Sequence, residues 1–374
     1  MNKAAIADRL RALPWPMLTA VLGLGCFGLL VLYSAAGGSM TPWAINQGVR
    51  FLILLCVMFA VSQVDLSFWA KYAYPLYAII LVSLIGVEII GKVGGGSQRW
   101  LDLGIIRLQP SEFMKLAIVL ALARFFHFLP RVHTEQLINL VPPVALIMVP
   151  AALVILQPDL GTALMITIGG ITILFLAGVQ WWLFAGGFAA IAAALPIVWE
   201  LMHDYQRKRV LIFLDPESDP LGSGYHITQS KIAIGSGGIF GKGFLSGTQS
   251  HLQYLPELHT DFIFATMAEE WGLVGGLFIL GCWAVILSWG FGVALNCRTQ
   301  FARLAAAGLT CTLFFYVMIN TMMVMGLAPV VGIPLPLISY GGSAMLTVLI
   351  ALGVLMSIAR DQGRSMLTDT PSSL

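Results

Sequence analysis

Ten stretches of near-continuous apolar residues, each close to the length a helix needs to cross a bilayer, leave this chain few folds. They run over residues 17–36, 46–63, 72–91, 111–128, 138–156, 160–178, 181–201, 262–290, 301–325 and 339–359. About 20 helical residues span the hydrocarbon, and within it each backbone polar group must be bonded inside its own segment, as a helix does. Of the 374 residues 58% are hydrophobic and only 10% charged, against roughly 25% charged in soluble domains. The expected architecture is an all-α polytopic membrane protein, with residues 1–374 forming a single domain of ten transmembrane helices. The first run has a short basic flank like a signal peptide, but it is long for one and nine more runs follow.

Ten spans put both termini on one side. Short segments on that side hold Lys3, Arg9, Arg11, Lys71, Arg124, Arg131, Arg298, Arg303, Arg360 and Arg364, while the opposite short loops hold chiefly Lys92, Arg99 and Arg107. Cytoplasmic loops are the positive ones, so both termini are expected in the cytoplasm. Two segments of unusual length, 92–110 and 202–260, then fall outside the cytoplasmic membrane. Loops beyond about 15 residues are usually functional or disordered. The larger, between helices 7 and 8, keeps Ile212, Ile227, Ile232, Phe240 and Phe244 among its glycines. It is expected to fold back onto the bundle or into short half-buried helices. The five cysteines lie in or beside apolar runs and read as small buried hydrophobes, with neither zinc nor disulfide spacing. His203, His226, His251 and His259 match no metal motif either. No nucleic-acid partner is expected.

Ionisable groups in or beside a span are costly and need a partner or a purpose. Glu112 and Lys115 lie three apart at the start of the fourth run, on one helical face. They form either a self-compensating ion pair or the lining of a polar cavity that holds a charged headgroup. Asp159 follows Pro158 where a first-turn carboxylate suits the helix dipole, and capping is its plain alternative to a role in that cavity. Arg50 could snorkel to the interface or grip a phosphate with its planar fork. Arg207, Lys208 and Arg209 form a basic cluster just past the seventh run.

The stretch His259-Thr260-Asp261-Phe262 closes the large loop and opens the eighth run. If one helix continues from Asp261, then Ala265, Ala268, Gly272, Gly275 and Gly276 all fall within about 60° of it. Small residues mark a face packed on other helices, so Asp261 points into protein or a cavity and not into lipid. Glu269 and Glu270 sit off that stripe. Trp271 and Trp289 have the spacing of two interfacial belts, which would lift Asp261 to Glu270 above the hydrocarbon. A plain N-cap is the competing reading for Asp261.

Five motifs carry a resemblance. They are Gly96-Ser97-Gln98-Arg99-Trp100-Leu101, Gln109-Pro110-Ser111-Glu112-Phe113-Met114-Lys115-Leu116, Gln157-Pro158-Asp159-Leu160-Gly161-Thr162, Tyr254-Leu255-Pro256-Glu257-Leu258-His259-Thr260-Asp261-Phe262, and Pro334-Leu335-Pro336-Leu337-Ile338-Ser339-Tyr340-Gly341-Gly342. In this order, on ten spans, the chain closely resembles the SEDS family (shape, elongation, division and sporulation). The stretches Gly224-Tyr225-His226-Ile227-Thr228-Gln229-Ser230-Lys231 and 247–254 look like its elongation type rather than the division-type paralogue. Leu258 departs from the alanine of many relatives and touches no proposed chemistry. The resemblance implies a peptidoglycan glycosyltransferase that polymerises lipid II on the extracytoplasmic side. It also implies a class B penicillin-binding protein, the cross-linking transpeptidase, as partner within the elongation machinery. The family's catalytic aspartate matches Asp261, and positions implicated in activity or cavity structure match Arg50, Glu112, Lys115 and Asp159.

The chemistry fits. A sugar hydroxyl attacking an anomeric carbon needs a base, for which Asp261 is the candidate, and the leaving pyrophosphate needs cations, for which Arg50, Lys115, Arg207 and Arg209 are the candidates in that order. A divalent cation such as magnesium is the one cofactor this chemistry invites, and the sequence shows no dedicated site for it. A flippase for the same lipid would place its charges near the midplane, and a scaffold would need no Asp261, Glu112 or Lys115.

Overall fold

The computed structural model describes residues 13–94, 97–102, 107–129, 136–202, 204–215, 219, 222–251 and 258–368. Lys3, Arg9, Arg11, Arg131, His203 and the Tyr254–Glu257 half of one motif lie outside them. Each of the ten apolar runs coincides with a helix: α1 (Trp15–Ala35), α2 (Ala44–Ser62), α3 (Leu66–Ile90), α4 (Pro110–Phe128), α5 (Leu137–Leu156), α6 (Leu160–Leu176), α7 (Trp181–Leu201), α11 (Ile263–Leu295), α12 (Gln300–Val324) and α13 (Gly342–Thr368). Three more helices, α8 (Asp204–Leu214), α9 (Ser223–Gly237) and α10 (Thr248–His251), lie within the large loop. Among the described residues seven helices are long and apolar enough to cross a membrane, and α6 and the Trp181–Ile197 stretch of α7 are apolar but shorter. The chain is a multi-pass, all-α membrane protein.

Helix α4 is the middle of the bundle. It packs against α3, α6 and α12, with α5 and α13 also touching it, and it is buried on nearly every face from Pro110 to Ala123. A helix surrounded by protein can carry Glu112 and Lys115 because they pair with each other and with Tyr316 of α12, away from lipid. The 92–110 segment is not plain loop. It forms a three-stranded antiparallel sheet of β1 (Lys92–Gly94), β2 (Ser97–Asp102) and β3 (Arg107–Leu108). The strands are short and lie among glycines, which hides period-2 alternation in the sequence.

The large loop folds back on the bundle, as its apolar content led one to expect. Helix α9 lies along α11, burying Ile227 and Ala233. The Ser230 hydroxyl donates to the Val324 carbonyl at 2.7 Å, joining α9 to the last turn of α12.

Helix α11 differs from expectation. It starts at Ile263 with Phe262 as N-cap, and it is interrupted at Gly272, whose φ of 60° and ψ of -153° are not helical. The straight-helix spacing of Trp271 and Trp289 therefore does not apply. Trp271 packs edge-on against Phe27 at 5.2 Å and near Phe244 at 6.0 Å, inside an aromatic cluster and not on a lipid belt. The small-residue face survives the break: Ala265, Ala268, Gly272, Gly275 and Gly276 are all buried.

Candidate active site

Three consecutive backbone carbonyls hold the turn that carries Asp261. The Tyr340 N–H donates to the His259 carbonyl at 2.8 Å. The Ser339 hydroxyl donates to Thr260 at 2.6 Å, and the Asn320 amide donates to Asp261 itself at 3.0 Å. Each donor has a support of its own. Asn320 is fully buried and its amide also donates to the Ile333 carbonyl at 2.7 Å. Ser339 accepts from the Leu335 N–H at 2.7 Å, and its carbonyl accepts from the buried Gln47 amide at 2.9 Å. A half-buried carboxylate on a turn fixed at three successive residues is preorganised, because its main chain has little freedom left to lose. The N-cap position falls on Phe262, so the capping reading of Asp261 does not describe this turn.

The loop between α12 and α13 closes the site. Gly332 has φ +73°, and a Cβ there would stand 3.4 Å from the Asp261 Oδ2, so the carboxylate passes over a residue with no side chain. A Cβ on Gly161 would run into the Val331 carbonyl and stand 3.1 Å from Ile333. Residues 331–333 thus lie between the start of α6 and Asp261. The His259 ring stacks on Trp43 at 4.4 Å and 11°. The Arg50 guanidinium lies 4.9 Å from the centre of the Tyr340 ring. One residue, Tyr340, therefore touches both the Asp261 turn and Arg50.

A second polar cluster sits one helical turn away. The Lys115 ammonium donates to Glu112 Oε1 at 2.6 Å, both buried, and lies 4.3 Å from the centre of the Tyr316 ring. The Tyr316 hydroxyl donates to Glu112 Oε2. Tyr316 and Asn320 are four apart on α12, hence on one face. The ion pair and the Asp261 turn are accordingly held by the same helix, about 6 Å apart along its axis.

Asp159 is the N-cap of α6 and accepts from the Thr162 N–H at 3.1 Å and the Thr162 hydroxyl at 3.0 Å. It also accepts from the Gln109 amide at 3.0 Å and stands 3.9 Å from Arg99, whose guanidinium donates to the Gln157 and Pro158 carbonyls. The capping reading holds, and the same carboxylate, through Gln109 and Arg99, knots the small sheet to the bundle. Arg207 caps the end of α7 through the Trp199 carbonyl at 2.8 Å and the Glu200 carbonyl at 2.5 Å. It is not among the residues whose described contacts converge on Asp261, nor is Arg209, its neighbour on α8.

Sequence reasoning missed Tyr316, Asn320, Ser339 and Tyr340 as site residues. Tyr316 and Asn320 carry a signal, being polar and one turn apart in an apolar run, though neither bears a formal charge at neutral pH. Glu269 and Glu270, off the small-residue stripe, are also fully buried, with partners of their own. Glu269 accepts from Lys242 at 2.7 Å, the Thr248 N–H at 2.9 Å, the Thr248 hydroxyl at 3.0 Å and the Gln249 N–H at 2.9 Å. Glu270 accepts from the Ser34 hydroxyl.

The family of cell cycle proteins that comprises FtsW, RodA and SpoVE matches residues 15–364, and the chain belongs to that family, the SEDS proteins. Among its relatives is the peptidoglycan glycosyltransferase MrdB of Escherichia coli, 47% identical over 360 residues that make up 96% of each chain. The probable peptidoglycan glycosyltransferase FtsW of Coxiella burnetii is 35% identical, covering 92% of this chain and 95% of that one. Of solved structures, a chain of a peptidoglycan synthase complex said to coordinate polymerization and crosslinking superposes with TM-score 0.80 and 35% identity, covering 93% and 98%. The rod shape determining protein RodA of Thermus thermophilus superposes with TM-score 0.68 and 29% identity, covering 93% and 97%.

Proposed function

We propose that Asp261 is the general base with which this peptidoglycan glycosyltransferase joins lipid II molecules into glycan strands. A sugar hydroxyl is a weak nucleophile near neutral pH, and a positioned carboxylate that takes its proton helps by roughly 10²–10⁴-fold. The acceptor oxygen bonds to the donor's anomeric carbon while the bond from that carbon to the pyrophosphate oxygen breaks. Undecaprenyl pyrophosphate leaves with the electron pair, and a single displacement inverts the anomeric centre. The observation that carries this reading is the run of three pinned carbonyls under His259, Thr260 and Asp261. Such a turn keeps the carboxylate in place while substrates of great size come and go.

Arg50, on Tyr340 beside that turn, is the leading cation for the departing pyrophosphate. Lys115, paired with Glu112, and Asp159 shape the polar floor. Arg207 and Arg209 meet the headgroup from the large loop. A divalent cation such as magnesium would add charge at the leaving group, and no step above depends on it. The ten apolar helices all cross the membrane, with both termini cytoplasmic and the site extracytoplasmic. The likeness to a chain from a complex that couples polymerization to crosslinking supports a transpeptidase partner, a class B penicillin-binding protein of the elongation machinery.

The test is purified protein given lipid II in detergent with no other synthase. Wild-type protein is expected to make glycan polymer, and Asp261→Ala to express and fold normally while making none. Full polymerisation by Asp261→Ala overturns the base assignment. Lipid translocation in vesicles without polymer would mean a flippase instead.

A further inference from the structure

The break in α11 is filled by a piece of the large loop. Interrupting a helix strands the last carbonyls of one half and the first N–H groups of the next. Here the turn after α9 supplies both sets. The N–H groups of Lys242 and Gly243 donate to the Glu269 and Glu270 carbonyls at 2.9 and 3.1 Å, and the N–H groups of Leu273 and Val274 donate to the Gly238 and Ile239 carbonyls at 2.9 and 3.1 Å. Glycines make the splice possible: a Cβ on Gly241 or Gly272 would strike the backbone of the other strand. Residues 238–243 are thus built into the wall of a membrane-spanning helix with four main-chain bonds, and non-helical backbone at membrane depth is tolerated only when so satisfied.

The level of this splice follows from Ser34. That residue stands in the last turn of α1 and bonds to Glu270. Gly272 is two residues further along α11, about 3 Å toward the bilayer centre. The remainder of α11, residues 273–295, is about 34 Å long and sufficient by itself to cross the hydrocarbon. Its first turns are open to lipid, with Leu273 56% and Leu277 59% exposed. Beside them the turn presents Ile239, 60% exposed, and Phe240, 81% exposed.

We infer that the 238–243 turn is a membrane anchor, with Ile239 and Phe240 seated among lipids at the boundary between headgroups and acyl chains. The occupant is lipid because the apolar tip continues the lipid-facing surface of α11 and lies at the level where α1 ends. A large aromatic ring suits that boundary. The large loop is accordingly not wholly in water: one turn of it is part of the membrane-embedded body. This inference does not depend on the catalytic reading of Asp261.

The test places benzoylphenylalanine at residue 240 of the full-length protein. Phe240 is so exposed that the larger ring displaces nothing. The protein is reconstituted alone in vesicles of phosphatidylethanolamine and phosphatidylglycerol, irradiated, and read by mass spectrometry for peptide–phospholipid adducts. Residue 277, substituted in the same way, sets the scale for a lipid-facing position. The expected result is an adduct yield at 240 within about threefold of that at 277. A yield below a tenth of that at 277 overturns the inference, as does capture of a second copy of this chain in place of lipid. Phe240→Ser is expected to keep the thermal stability of the detergent-solubilised protein. A loss of stability there would mean that Phe240 packs on protein and would also overturn the inference.

Discussion

Removing the Asn320 amide tests whether the pinned turn matters to catalysis or only to folding. Asn320→Ala deletes a part-buried hydrogen bond at 3.0 Å to the Asp261 carbonyl and a buried one at 2.7 Å to the Ile333 carbonyl, so the full-burial cost is an upper bound. Leaving a buried acceptor unpaired costs about 1–3 kcal/mol, so two would cost about 2–6 kcal/mol. Relief reduces that figure: the Asn320 Oδ1 is itself buried with no partner among the described residues, and its removal returns a similar penalty for one group. Water can also enter the vacated space. The expected net destabilisation is about 1–3 kcal/mol, which a bundle of this size survives. The effect on rate is larger in proportion. The substitution frees one of three fixed carbonyls, at the residue whose carboxylate reacts, and a shift of about 1 Å at a reacting group can cost 10²-fold. Lipid II polymerisation by the purified variant is expected to fall about 10- to 100-fold in kcat with KM little changed, because Asn320 is fully buried beneath the turn. Asn320→Asp keeps the shape while presenting oxygen to two carbonyls, and should do no better than alanine. A folded Asn320→Ala protein with wild-type kcat would refute the reasoning, and so would a loss confined to KM.

Two further outcomes follow from buried charge. Removing one member of the Glu112–Lys115 pair leaves a buried ion alone, at a cost of about 3–5 kcal/mol, whereas replacing both by apolar residues is often neutral. Glu112→Leu and Lys115→Met are each expected to lower thermal stability, and the double variant to recover most of it without regaining polymerisation. Recovery of activity with stability would show that the pair serves folding alone. Glu269→Ala removes an acceptor of four hydrogen bonds and should release residues 242–249, read as amide hydrogen exchange at least about tenfold faster, since one charged hydrogen bond is worth about 1.5–3 kcal/mol. Unchanged exchange in that segment would mean that the main-chain splice holds it without the carboxylate.

The sequence by itself determined that this chain is a bundle of apolar helices and which side chains have a cost to justify. Hydrophobic run length is a local property, and each of the ten runs is a helix, the one backbone arrangement that bonds its own polar groups within a single segment. Asp261, Glu112, Lys115 and Asp159 were legible for the same reason: a charge beside hydrocarbon stands out against its neighbours. Asn320 and Tyr316 were not, because their importance lies in partners far along the chain, Asp261 and Glu112 respectively. Periodicity placed Glu269 and Glu270 off the small-residue stripe but could not show that a loop segment and the end of α1 cover them there. Only the tertiary structure supplied the break at Gly272, the loop segment that fills it, and the three donors from α12 and the loop beyond it that hold the Asp261 turn. In each case the acceptors are main-chain carbonyls far along the chain from their donors, and main-chain atoms are the same at every position, so the residue types along the sequence carry almost no trace of where they pair.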